Sequence, residues 1–183
     1  MVRRLLQQSV PVVAVILIAF AASGRAQNEK AADSGAVPGL ATLLAGDFAY
    51  TQPDKAKPVY RVTVESKGEA FVVIASENVA SWKYPDGSPV KYAGLFGTIS
   101  PWYPKDVKPP VALLTKMSSD NDRNIFVHYS ICTNEQTGEW ALFANAHLFL
   151  KGASKEVLTD YLFLVLDSVQ NGKKNYLPFM KAE

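Results

Sequence analysis

Three side chains in the second half of the chain are of types that catalyse reactions or bind metals: His128, Cys132 and His147. Spacing decides whether they can act together. Zinc draws its ligands to within about 2.3 Å of one point, and a thiol needs its base in hydrogen-bond contact. His128 and Cys132 fall on one face of one predicted strand, four residues and roughly 13 Å apart, so they form no dyad. His147 falls on the next predicted strand. The expected register sets His128 opposite Phe143 and His147 opposite Asn124, again roughly 13 Å apart along the ladder. That is too far for two ligands on one zinc. Two solvated or half-buried histidines are the expectation. Cys132 is the single cysteine and reads as a small strand residue, with an intermolecular bridge or a reactive thiol as the other readings.

A second set of residues imitates a catalytic order. Ser88-Pro89-Val90-Lys91 matches S-x-x-K, Ser119-Asp120-Asn121 matches S-D-N, and Lys151-Gly152 stands in the place of K-T-G. The order resembles that of serine β-lactamases and penicillin-binding proteins. The context departs from it. Their S-x-x-K opens a helix, whereas Pro89 here follows a Pro-Asp-Gly turn and leads into a strand. On a strand, positions i and i+3 point to opposite faces. The chain is also too short for that fold. No G-x-x-x-x-G-K or G-x-G-x-x-G run offers a phosphate cradle, and acid pairs such as Glu156 and Asp160 read as a solvated helix face. The expectation is a protein without enzymatic activity, cofactor or metal.

What the sequence does concentrate is aromatic surface. Trp82, Tyr84, Tyr92, Phe96, Trp102 and Tyr103 gather in a proline-rich middle. Such rings anchor interfaces, and they also pin irregular loops to a core.

The elements around them can be read from periodicity. Pro38 to Ala45 suits a short helix stopped by Gly46, and Phe48 to Thr51 a strand start. Val59 to Glu65 and Ala70 to Ala75 predict a hairpin turning at Lys67-Gly68. Its pairing sets Val64 opposite Phe71 and Val62 opposite Val73. Arg61, Thr63, Val72 and Ile74 then share the other face, so the second strand is apolar on both sides and Val72 and Ile74 await a cover. Val90 to Ile99 predicts a strand broken at Gly94 and Gly97. Val111 to Ser119 predicts a helix carrying Leu113, Leu114 and Met117. Asn124 to Thr133 and Glu139 to Leu150 predict the strongest hairpin, with a four-residue loop that sets Ile131 opposite Trp140 and Tyr129 opposite Leu142. A last helix should run from Lys155 to Asn171, capped by Ser154 and stopped by Gly172. Its apolar residues span an arc of roughly 200°, with Phe163 on the remaining side. The fold class expected is α+β: one domain, an antiparallel sheet of hairpins packed on a long C-terminal helix with one or two short helices.

The N-terminus has a different character. Arg3 and Arg4 precede an apolar run from Val10 to Ala22 that is shorter than the roughly 20 residues of a membrane span. Gly24-Arg25-Ala26 supplies small residues for cleavage before Gln27, so residues 1–26 read as a secretory signal peptide. An uncleaved anchor or a twin-arginine signal are the rival readings. Residues 27–37 read as a flexible leader, and 38–183 as the domain. Removing 26 of 183 residues leaves 157, enough for one real core. Taking Arg3, Arg4 and Arg25 from 19 basic residues leaves 16 against 17 acidic, a net charge of −1. That balance argues against nucleic acid as a partner. The expected location is periplasmic or secreted, with no membrane span after cleavage.

The element order resembles the type III secretion chaperone-like fold, including YbjN-type regulators. The likeness is carried by Leu113-Leu114 and Asn121 before the hairpin, the long strand Trp140 to Leu150, and Lys151-Gly152-Ala153-Ser154 leading to the last helix. The proline-rich middle and the export signal depart from that pattern. The resemblance implies a non-enzymatic domain that binds protein segments along a sheet or helix face, often as a homodimer. The expected function is an exported adaptor or chaperone-like module whose partner is a protein. The alternative is a periplasmic immunity or inhibitor protein with one cognate toxin or enzyme. A small hydrolase would need converging polar groups, and a β-barrel binder more strands and no long last helix. The residues expected to meet the partner are Val72, Ile74, Trp82, Tyr84, Trp102, Tyr103 and Phe163.

Overall fold

Alternating apolar residues must share one side of a sheet, and a wide apolar helix must lie on that side. The computed structural model, which describes residues 37–66 and 68–180, meets both demands. The expected signal peptide, and the leader up to residue 36, lie outside the described residues. Helix α1 (Leu40–Leu44) precedes strands β1 (Ala49–Thr51), β2 (Val59–Ser66), β3 (Glu69–Lys83) and β4 (Pro89–Thr98). Helix α2 (Val111–Asn121) leads to β5 (His128–Thr133) and β6 (Trp140–Phe149). Helix α3 (Lys155–Tyr176) follows and ends in a 3-10 turn, Leu177–Met180. The strands form one antiparallel sheet in the order β1-β2-β3-β4-β6-β5. The chain is thus an α+β fold with α3 across one face of the sheet. Among the described residues no helix is long and apolar enough to cross a membrane.

The covered face holds the core. Val62, Val64, Val73, Ala75, Leu95, Ala144 and Ala146 meet Leu158, Leu162, Val165 and Val169 of α3. Each fully buried leucine there contributes about 1.5–3 kcal/mol. Ser154 caps the helix, its side chain accepting from the Val157 amide at 3.3 Å.

The β2–β3 hairpin has the expected register, with Val64 opposite Phe71 and Val62 opposite Val73. Several other expectations are corrected. Strand β4 runs unbroken through Gly94 and Gly97. A Cβ at Gly97 would collide with Val169 and sit 3.0 Å from Val165, so this glycine lets α3 lie close rather than ending the strand. Helix α3 likewise continues through Gly172 to Tyr176. A Cβ at Gly172 would stand 2.6 Å from Ile99 Cδ1. Close packing there offsets the roughly 1 kcal/mol that a mid-helix glycine costs. Val37, the last leader residue, packs against the core.

The β5–β6 hairpin keeps the expected faces but shifts by two residues: Ile131 pairs with Leu142, Tyr129 with Ala144 and Thr133 with Trp140. The loop is therefore longer than four residues. It is held by the Asn134 amide donating to the Glu139 carbonyl at 2.7 Å and by Gly138 at φ +74°. Strand β5 starts only at His128. Ile125, expected on its apolar face, is 80% exposed. Helix α2 runs two residues past Ser119, and residues 122–127 form a turn and a bend before β5. Asn121 closes that edge: its amide nitrogen donates to the Tyr129 carbonyl at 2.9 Å, and its oxygen accepts from the Tyr129 amide at 2.7 Å. One side chain thus stands where a neighbouring strand would pair. Leu113 and Met117 of α2 enter the core, but Leu114 is exposed.

Candidate interaction surface

The other face of the sheet follows from the same alternation. It presents Val72, Ile74, Ser76 and Asn78 from β3, and Tyr92, Gly94 and Phe96 from β4. Phe143, Asn145, His147 and Phe149 come from β6, and His128, Ser130 and Cys132 from β5. One row across the sheet reads Arg61, Ile74, Phe96, Asn145, His128. Four of the large apolar side chains that remain exposed lie here: Val72 at 55%, Trp82 at 54%, Phe149 at 53% and Trp102 at 46%.

The rings form two clusters at opposite ends of β6. Trp82 reaches this side past a register shift between Val79 and Lys83, and meets Phe149 edge-on at 5.9 Å. Trp102, in the proline-rich loop, meets Phe143 at 5.9 Å. Between them, His147 lies 5.6 Å from Tyr92 and 6.5 Å from Phe96, both edge-on. A Cβ at Gly94 would stand 2.9 Å from the Phe96 ring, so glycine makes room for that ring.

Polar groups fill the centre. Asn145 is only 8% exposed. Its amide donates to Ser130 Oγ at 2.8 Å, and that oxygen lies 3.7 Å from Cys132 Sγ. Asn78 donates to Ser76 Oγ at 2.9 Å. Among the described residues no three or more His, Cys, Asp or Glu side chains are grouped to hold a metal ion. The spacing expected for the histidines is corrected, however. His128 pairs with Asn145, so His147 is its diagonal neighbour, two residues along the ladder rather than four. Neighbours of that kind have Cα atoms about 7–8 Å apart. The two-residue register shift is the cause.

The residues expected to meet a partner are divided by the fold. Val72, Ile74, Trp82 and Trp102 come together on this face. Tyr103 turns inward: it forms an isolated bridge with Trp140, the rings 4.6 Å apart, and packs against the core. Tyr84 sits at the β3–β4 turn, with Lys151 Nζ 4.3 Å above its ring. Lys151 also bonds Asp86 at 2.6 Å, and this hydrogen bond holds the Asp86 carboxyl far below the usual range. Phe163 lies on the solvent side of α3, in the other layer. Tyr92, Phe96, Phe143, Asn145, His147 and Phe149 complete the surface and were not among the expected partner residues. The signal for the β6 members was present: Phe143 and Phe149 make that strand apolar on both faces, as Val72 and Ile74 do for β3.

The serine–lysine motif is dispersed. Ser88 bonds Asp86 in the turn, while Lys91 lies 3.2 Å from Glu77, whose other oxygen accepts from the Leu40 amide at 2.9 Å. A cleft between the β3–β4 end and α3, lined by Phe71, Val72, Gly97, Val169 and Lys173, measures about 200 Å³. That is below the ~300 Å³ at which small-molecule sites begin. The broad sheet face is the larger feature. No protein-family model, curated protein or solved structure matches the chain.

Proposed function

We propose that this chain is an exported, non-enzymatic protein-binding module that seats its partner on the open face of the sheet. The observation that carries the reading is the convergence of Val72, Trp82, Trp102 and Phe149, all strongly exposed, on one face that no helix covers among the described residues. Exposed apolar side chains gathered on one uncovered face in this way mark interaction sites. Half-buried polar groups at Ser76 and Asn78 supply hydrogen bonds that would fix register. Export rests on the composition of residues 1–26, and the order of short helix, strands, short helix, hairpin and long helix supports the chaperone-like resemblance.

The test is capture from detergent-solubilised envelope extract with C-terminally tagged protein, comparing the unsubstituted chain with Trp82→Lys and Phe163→Lys. A stoichiometric protein held by the unsubstituted chain and by Phe163→Lys, and lost with Trp82→Lys, is the expected result. A single such protein would point to the immunity or inhibitor form, and several to an adaptor. An unchanged profile with Trp82→Lys, or no retained protein, would overturn the reading.

A further inference from the structure

Both histidines of the chain lie in the middle of the open face. His128 is the first residue of β5 and pairs with Asn145, and His147 stands two residues further along β6. Both side chains are exposed. The neighbouring row shows how near they come. Ser130 pairs with Phe143, so Ser130 and Asn145 are diagonal neighbours in the same sense as His128 and His147. Along that diagonal two short side chains already touch: Asn145 donates to Ser130 Oγ at 2.8 Å. A shift of two residues on each strand keeps the geometry, because an antiparallel ladder repeats at that interval. Imidazoles reach further from the backbone than serine or asparagine. On the same diagonal, His128 and His147 can therefore each bring a nitrogen to one point above the sheet.

Asn145 offers a third donor. It lies directly opposite His128 and two residues before His147, on the same face. Its side chain is held in place, only 8% exposed, with its amide nitrogen committed to Ser130. Ser130 lies in the row on the far side from His147. The oxygen is the other corner of the same planar amide, and no described residue donates to it. Imidazole nitrogens suit zinc, copper and nickel, and an amide oxygen completes such a set with a harder donor.

We propose that His128, Asn145 and His147 form a site for a divalent ion of the zinc and copper class. The site stands whether or not a protein occupies the open face. The His147 ring now rests above Gly94, edge-on to Tyr92 and Phe96 at 5.6 and 6.5 Å. To bind, it turns about χ1 from the β4 side toward β5. That is a move between staggered wells, which an exposed side chain makes within nanoseconds. Cys132, four residues from His128 and roughly 13 Å along the strand, takes no part. Three protein donors leave the fourth tetrahedral position of zinc to water or to an incoming ligand. The bound ion would also tie the first residue of the edge strand β5 to β6.

The histidine count makes the test direct. In the untagged full chain only His128 and His147 contribute imidazole signals to a proton NMR spectrum. Titrated with zinc chloride, both should move together, with one midpoint and one ion per chain. His128→Gln should raise the zinc concentration at which His147 responds by at least about 10-fold, since losing even an outer partner of a metal ligand costs that much. His147→Gln should do the same to His128. Asn145→Asp, which sets a carboxylate where the amide oxygen stands, should tighten binding. Far-ultraviolet circular dichroism should be unchanged in the two histidine variants, whose side chains are exposed. Imidazoles that respond at separate midpoints, or not at all at about 1 mM zinc, would overturn the proposal. So would a His147 midpoint unmoved by His128→Gln, or an affinity that Asn145→Asp fails to raise.

Discussion

Strand β4 carries Ala93, Leu95 and Gly97 toward α3, and Tyr92, Gly94 and Phe96 away from it. The two sides of this one strand obey different rules. On the covered side every residue is fitted to a neighbour: alanines thin the sheet, and Gly97 has no room for a methyl group beneath Val169 and Val165. On the open side the rings lie edge to edge, most of them half in water and Phe143 buried, and amide and hydroxyl groups sit among them. The covered face contributes the burial that stabilises the fold. The open face contributes little of it, and its residues are correspondingly available for recognition.

Truncation should separate the two most sharply. Leu162→Ala removes a fully buried side chain of α3 and should destabilise the protein by about 2–5 kcal/mol in urea denaturation. Phe149→Ser, on the open face, should cost under about 1 kcal/mol while abolishing partner capture. Equal losses from the two would erase the distinction.

A finer comparison uses two glycines of β4. Gly97→Ala forces a methyl group into the α3 contact and should cost about 1–3 kcal/mol. Gly94→Ala meets the edge of the Phe96 ring, which can swing into solvent, and should cost less. Thermal melts of the two variants give the order directly, and the reverse order would mean that the open face is packed as tightly as the core.

The smallest effect is expected from pH, and it belongs to the covered layer. Burial pushes the Asp120 carboxyl up, but hydrogen bonds from Lys116 and Tyr176 outweigh it and hold it below the ordinary value. Its contribution is therefore complete above the unfolded value near 3.9 and is lost as pH falls through the lower folded one. Burial, reinforced by Asp120, raises Tyr176. That contribution is present below about pH 10 and is lost as pH rises through the higher folded value. Denaturation midpoints should fall at both extremes, and Asp120→Asn should flatten the acid limb. An unchanged acid limb would remove Asp120 from the account.

Much of the architecture was written in local pattern. Alternation from Val59 to Ala75 and from Trp140 to Leu148 placed the hairpins and their buried faces, because a side-chain period of two leaves only one face for the core. The capping residue Ser154 and the apolar run after it placed the last helix. The same alternation showed that β3 had apolar residues on both sides, which exposed half of the candidate surface. Local pattern could not show how far an element runs when a distant contact decides it. Gly97 and Gly172 look like breaks, yet each is a point of close approach between α3 and residues of β4 or Ile99. Nor could parity alone separate a four-residue loop from one two residues longer, since both leave Ile131 facing the core. That choice moved His147 to within a diagonal of His128. Which aromatic residues turned outward was likewise a tertiary matter. Trp102 and Tyr103 are adjacent in sequence, but only Tyr103 finds Trp140 to pair with, and so Trp102 is left to the open face.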